Sequence, residues 1–430
     1  PYLMVVLGAG LAVVYTMSWW WIGFASLAFG FLWCLYWLQN AYTVFDALIV
    51  GAYILFFATG FYLLHNDREF RESAGRDLFA QMKDNAAHLL SWGGIVAALI
   101  LLVSFVRIDQ YQTMSLATLG VFVAGCLLLG HRERVETYDG TVALAGLATF
   151  LLFASWHIER IVTTGPFMTP DITAFGEQRG PLVPPELATF SIATVIFAGL
   201  FGLGGFLRLW SGNRALISSA TSACMPVLLL IVAYIRFQNF GEDFYWAMVA
   251  VILAACYLAG ASIAYRSQER EPFTSAVGFY VASVFACITL GLTMTLEQAW
   301  LTVAIAVQLP ALAWINERVP NKYFRYVAWT LALAVIIRLV FNVNILEYGN
   351  PPGSVFTWNL YAYGVPALAF YWAARKFTAE FDEMLIAVLE AAAMVFLVLL
   401  VSFEIRLLMT GSLGASSYSL PVSYTHLRAH

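Results

Sequence analysis

Charge is what this chain has least of. Asp, Glu, Lys and Arg make up 11% of its 430 residues, against about 25% in soluble domains. Hydrophobic residues make up 61%, and the mean hydropathy is +0.78. A water-soluble fold cannot bury that much apolar surface, so the solvent is a bilayer. Histidine is sparse, and His426 and His430 fall in the last eight of the residues. The five cysteines, Cys34, Cys126, Cys224, Cys256 and Cys287, all lie inside apolar runs. That placement excludes a disulfide framework and leaves them as small buried apolar residues. No HExxH, GxSxG or P-loop pattern occurs, and no Cys–His spacing suits a metal. No metal and no cofactor are expected. Lys and Arg never cluster densely enough for nucleic acid, and a net charge of −4 names no partner.

What the chain has is a succession of apolar runs, each roughly 17–25 residues long, the length that spans a bilayer. They cover 2–17, 19–38, 42–64, 89–106, 112–130, 141–157, 187–209, 215–235, 244–265, 273–295, 298–316, 324–342, 358–375 and 384–405. The expected fold is an all-α, polytopic membrane bundle of about fourteen transmembrane helices. Aromatic residues gather at segment ends, as at Trp19, Trp20, Trp21, Trp156, Tyr234 and Trp300, where interfacial belts form. The chain opens on Pro1 and its first run looks cut into, so the expectation is an N-terminally truncated piece. Ser423 to His430 reads SYTHLRAH, which resembles translated sequencing-adapter read-through. This leaves 1–422 as one transmembrane domain and 423–430 as a non-native tail.

Alternating the fourteen spans places fifteen basic residues on one side, from Arg68 to Lys376. The other side receives six: Arg107, Arg160, Arg179, Arg236, Arg338 and Arg406. The positive-inside rule makes the first side cytoplasmic. Two connections stand out. Residues 65–88 are cytoplasmic and carry both signs of charge, with Phe70, Leu78, Phe79 and Met82 as one side of a short interfacial helix or else a solvated connector. Residues 158–186 are external, with Pro166, Pro170, Pro181, Pro184 and Pro185, and are long for a structureless link. LLVSFVRI at 101–108 and LLVSFEIR at 399–406 share a cadence with FASWHIER, LIVAYIR and LAVIIR. The unit is a hairpin repeated along the chain, as in many transporters.

Five of the seven outward-running spans therefore end in an arginine: Arg107, Arg160, Arg236, Arg338 and Arg406. Helix dipoles favour cations at such C-termini, and long side chains snorkel to headgroups. The alternative is an outward site for anionic groups. Deeper charges are Asp46, near the outer start of the third span, and Glu390, two turns from the cytoplasmic end of the last. Intramembrane carboxylates are costly and often carry protons. Pro226, Pro310 and Pro366, the last following Gly364, mark helix breaks that free backbone groups. His157, Glu159 and Arg160 lie within four residues at the outer boundary, a grouping that suits acid–base work.

Four strings carry a resemblance over about 286–409: LTMTLEQAWLTVAIAVQLPALAWINERVP, RLVFN, FTWNLYAYGVPALAFYWAARKF and LLVSFEIRLL. They resemble the C-terminal part of bacterial predicted membrane proteins of the domain of unknown function 2339 family. The resemblance implies a longer chain that begins with a charged, coiled-coil-like cytoplasmic segment and continues through many spanning helices. Residues matching its pattern are Glu297, Arg338, Asn342, Trp358, Tyr363, Gly364, Pro366, Glu404 and Arg406. Val343 and Leu407 stand where the family often has Pro and His, so no proton or metal role rests on that histidine here.

The preferred reading is a non-enzymatic envelope protein that handles or transports an anionic amphiphile, a lipid or glycan precursor, near the outer leaflet. In it the five arginines contact anionic groups, Glu297 and Glu404 position them, and Pro310 and Pro366 mark bent helices near the path. No catalytic residue is assigned. One alternative is a membrane-embedded transferase using His157 and Glu159. Another is a structural scaffold of an envelope complex. The bilayer is the one certain partner.

Overall fold

A computed structural model describes residues 2–17, 19–40, 44–63, 86–132, 139–157, 185–210, 215–238, 243–266, 271–296, 298–318, 320–341, 358–377 and 379–410. Among them are fourteen helices and no strand: α1 (Tyr2–Met17), α2 (Trp20–Gln39), α3 (Val44–Leu63), α4 (Ala86–Ile108), α5 (Thr113–Arg132), α6 (Asp139–Ser155), α7 (Pro185–Arg208), α8 (Ala215–Gln238), α9 (Phe244–Arg266), α10 (Glu271–Thr295), α11 (Gln298–Arg318), α12 (Phe324–Phe341), α13 (Trp358–Lys376) and α14 (Ala379–Thr410). Each matches one expected apolar run. Eight of them, α2, α3, α4, α7, α8, α9, α10 and α14, are long and apolar enough to cross a membrane; α1, α5 and α6 are shorter apolar helices. Most of 65–88 and 158–186, and all of 423–430, lie outside the described residues.

The chain forms two compact units, Pro1–Phe237 and Gln238–His430. In the first, α3 packs on α4 and α5, α2 on α4, and α5 on α7. Lipid supplies no hydrophobic drive between helices, so close packing and interhelical hydrogen bonds hold them. The Tyr53 hydroxyl donates to the Gly30 carbonyl at 3.1 Å, and Ser222 Oγ donates to the Gly202 carbonyl at 2.7 Å. A Cβ on Gly205 would stand 2.8 Å from Ser222 Cβ and 3.1 Å from the Ser218 carbonyl oxygen. Only glycine there lets α7 and α8 approach this closely. Gly120 faces Phe197 and Leu200, and Gly204 faces Leu127, so α5 and α7 run parallel.

In the second unit α9 and α10 form an antiparallel hairpin. Ala247, Ala250, Ala254, Tyr257, Ala261 and Ala264 are the buried face of α9. Their steps of three and four form a narrow seam of small side chains. Asp243 caps α9, accepting the Tyr245 amide at 2.7 Å, and its own amide donates to the Met294 carbonyl at 3.0 Å. Capping satisfies donors a helix start leaves open.

Helices α11 and α13 run parallel, with α12 and α14 opposed. At one end Trp300 stacks on Tyr361, and Arg338 Nε donates to Thr302 Oγ1 at 2.9 Å. At the other, Lys376 pairs with Glu317 at 2.9 Å and the Trp329 indole donates to Asp382 Oδ2 at 3.0 Å. That second end is also the basic one: Arg318, Lys322, Arg325, Arg375 and Lys376 each lie over an aromatic ring. Cations stacked on Trp and Tyr suit a headgroup interface.

Pro226, Pro310 and Pro366 lie inside continuous helices, as does Gly364. A proline removes one backbone donor, and the turns on either side carry the helix onward. Pro226 is received by Gly202, whose Cβ position lies 3.3 Å from the proline ring. The interruption is at Asp382 in α14, where φ −171° and ψ 103° are extended. Asp382 Oδ1 accepts the Leu385 amide at 3.1 Å, so it caps the long apolar helix that follows.

Candidate functional site

A helix C-terminus leaves its last carbonyls without partners and carries partial negative charge. Helix α6 has no basic residue in its last turn, and two neighbours supply the charge. Arg236, from the end of α8, donates to the Ala154 carbonyl at 2.5 Å. Arg107, from the end of α4, donates to Ser155 Oγ at 3.1 Å. Two members of the outward arginine set thus converge on one helix end.

The turn after α4 supports the same point. Gln110 and Tyr111 adopt φ 51° and φ 58°, left-handed values that cost non-glycine residues about 1–3 kcal/mol. The Tyr111 amide closes back on the Val106 carbonyl at 2.9 Å. Its ring stacks on Trp156 at 4.2 Å and 9°, and Trp156 meets Phe153 and Phe190 edge-on. This aromatic block fixes the α6 end that the two guanidinium groups bind. Arg107 is exposed and Arg236 half-buried, but both bond protein, and the arrangement is a joint between α4, α6 and α8.

One end of the second unit gathers a different set of polar residues. Arg338 is half-buried and bonds Thr302, which is buried on α11. On the packed face of α13 sits Asn359, fully buried, with neither Oδ1 nor Nδ2 hydrogen-bonded. Phe370 packs on Phe396 and Tyr363 on Phe403, so seven residues back along α13 match seven forward along α14. Four more bring Asn359 level with Arg406 and Leu407. Glu404 and Arg406 are half-buried at this level. Trp300 on Tyr361 brings the start of α11, with Thr302 and Arg338, to the same end. Deeper in the unit, Gln308 Oε1 accepts from Thr289 at 3.0 Å, while its buried Nε2 has no partner.

The other expected residues divide as follows. Arg160, Glu159, Glu297 and Asn342 lie outside the described residues. His157 is exposed just past α6. Asp46 is half-buried in the first turn of α3, where the helix dipole favours an anion. Glu390 is exposed on α14 and does not face the packed interior of its unit. Among the described residues no group of His, Cys, Asp and Glu is arranged to hold a metal.

Two residues escaped the sequence reading. Asn359 stands inside the string FTWNLYAYGVPALAF; its spacing to Tyr363, Pro366 and Phe370 puts it on their face, which was the available signal. Arg208 counted as one of fifteen inward basic residues, yet it is 2% exposed; only packing could reveal that.

A family model described as a predicted membrane protein (DUF2339) matches residues 1–427, a far wider stretch than the strings at 286–409. No curated protein and no solved structure matches the chain.

Proposed function

The chain belongs to the DUF2339 family of predicted membrane proteins, and from that premise we propose that it binds or moves an anionic amphiphile at the outward end of its second unit. The reading is of a non-enzymatic, multi-pass protein of the bacterial inner membrane. Arg338 and Arg406 meet the anionic group, Glu404 and Glu297 position it, and α13 directs its N-terminal dipole toward it. Arg107 and Arg236, which bond the α6 end in the first unit, are left out of the binding set.

The observation that supports this is Asn359. Burying an unbonded amide costs roughly 2–7 kcal/mol. Both its donor and its acceptor are open, level with a guanidinium and at a helix N-terminus. A headgroup with an anionic oxygen and a neighbouring hydroxyl satisfies all of these at once, which a lipid phosphate or a glycan phosphate offers.

The test uses protein in nanodiscs of phosphatidylcholine with phosphatidylglycerol added, and counts retained anionic lipid by native mass spectrometry. Asn359→Leu removes the open amide, so it is expected to raise the melting temperature in pure phosphatidylcholine and to lower phosphatidylglycerol retention. Arg338→Gln with Arg406→Gln is expected to lower retention at unchanged fold. Retention equal to wild type in both variants would overturn the proposal.

A further inference from the structure

The first unit holds a cavity of about 170 Å³ between α3, α4, α5 and α6, lined among others by Ala58, Tyr62, Ile95, Phe122, Gly125 and Cys126. It lies toward the ends of α3 and α5, the end the basic residues mark as inward. Its wall is close to dry. The Thr59 hydroxyl is turned back on the Leu55 and Phe56 carbonyls at 2.8 and 3.1 Å, and the Cys126 thiol and Thr141 hydroxyl bond each other. A buried water needs two to four polar partners, which the Tyr62 hydroxyl alone does not give. The void is real at atomic scale: a Cβ on Gly125 would meet nothing within 4 Å.

The mouth decides what enters. Val121 on the rim is 57% exposed and Thr59 is exposed beside it. On an apolar helix in a bilayer, such residues face hydrocarbon. The abundant solute there is an acyl chain, and the cavity has room for about six carbons, the scale at which an engineered void of similar size holds benzene.

We infer that this cavity is a lateral lipid site, which takes the acyl chain of a bilayer lipid. It lies within the first unit and stands whether or not the site at Asn359 does.

The probe is a phosphatidylglycerol carrying a diazirine in its acyl chain, reconstituted with the full chain in nanodiscs and photolysed, with adducts mapped by peptide mass spectrometry. Adducts are expected on the 121–126 segment of α5. Gly125→Phe fills the void and is expected to reduce them to background; Ala58→Ile does the same from α3. Undiminished adducts in both filling variants would leave a mere packing void and overturn the site.

Discussion

Five arginines that look alike in the sequence divide by what their guanidinium groups touch. Arg236 donates to a helix-end carbonyl and Arg107 to a serine beside it; these are contacts that hold three helices together. A hydrogen bond from a charged group contributes about 1.5–3 kcal/mol, and stranding its partner costs a similar amount. Arg236→Met is therefore expected to destabilise the first unit by about 2 kcal/mol and to leave phosphatidylglycerol retention at wild-type level. Thermal melts and native mass spectrometry on the same nanodisc samples separate the two effects. Equal losses of stability and lipid would put Arg236 back in a binding site. The sequence places these cations at the ends of apolar runs. It did not show which helix receives them, because Arg107 and Ser155 are 48 positions apart and Arg236 and Ala154 are 82 apart.

At the scale of the helix, most of the fold was legible. The run at 244–265 became Phe244–Arg266, and that at 187–209 became Pro185–Arg208. Apolar length sets these bounds, since every buried backbone group must be satisfied within its own helix. The last helix starts earlier than its apolar run because Asp382 caps it and a further turn precedes the cap. The three prolines stay inside helices: each removes one backbone donor, and Gly202 makes space for Pro226. The helix-to-helix seam was not marked in advance, though its period is written in the sequence. The alanines of α9 that pack on α10 leave no room for a larger side chain. Ala254→Leu is expected to cost about 1–3 kcal/mol through overpacking, and Ala255→Leu, one position off the seam, to cost far less. Melting temperatures of the pair, measured in one detergent, check this; equal shifts would mean the seam is loosely packed.

At the scale of the whole chain, the open question is the direction of insertion. The basic ends of α11, α12 and α13 gather on one side of the second unit, each cation over an aromatic ring. Arg338 and Asn359 lie at the other end. In the first unit Arg208 ends α7 and Arg236 ends α8, and these two helices are consecutive. If the fifteen basic residues face the cytoplasm, then the connection carrying Ala74 is inside and that carrying Ala174 outside. In a cysteine-free background, a cysteine at position 174 should react with a membrane-impermeant maleimide in intact cells. One at position 74 should react only after permeabilisation. The inverse pattern would invert the direction of insertion, and labelling at both positions in intact cells would mean that an even number of crossings separates them, so that at least one of α4, α5 and α6 does not span.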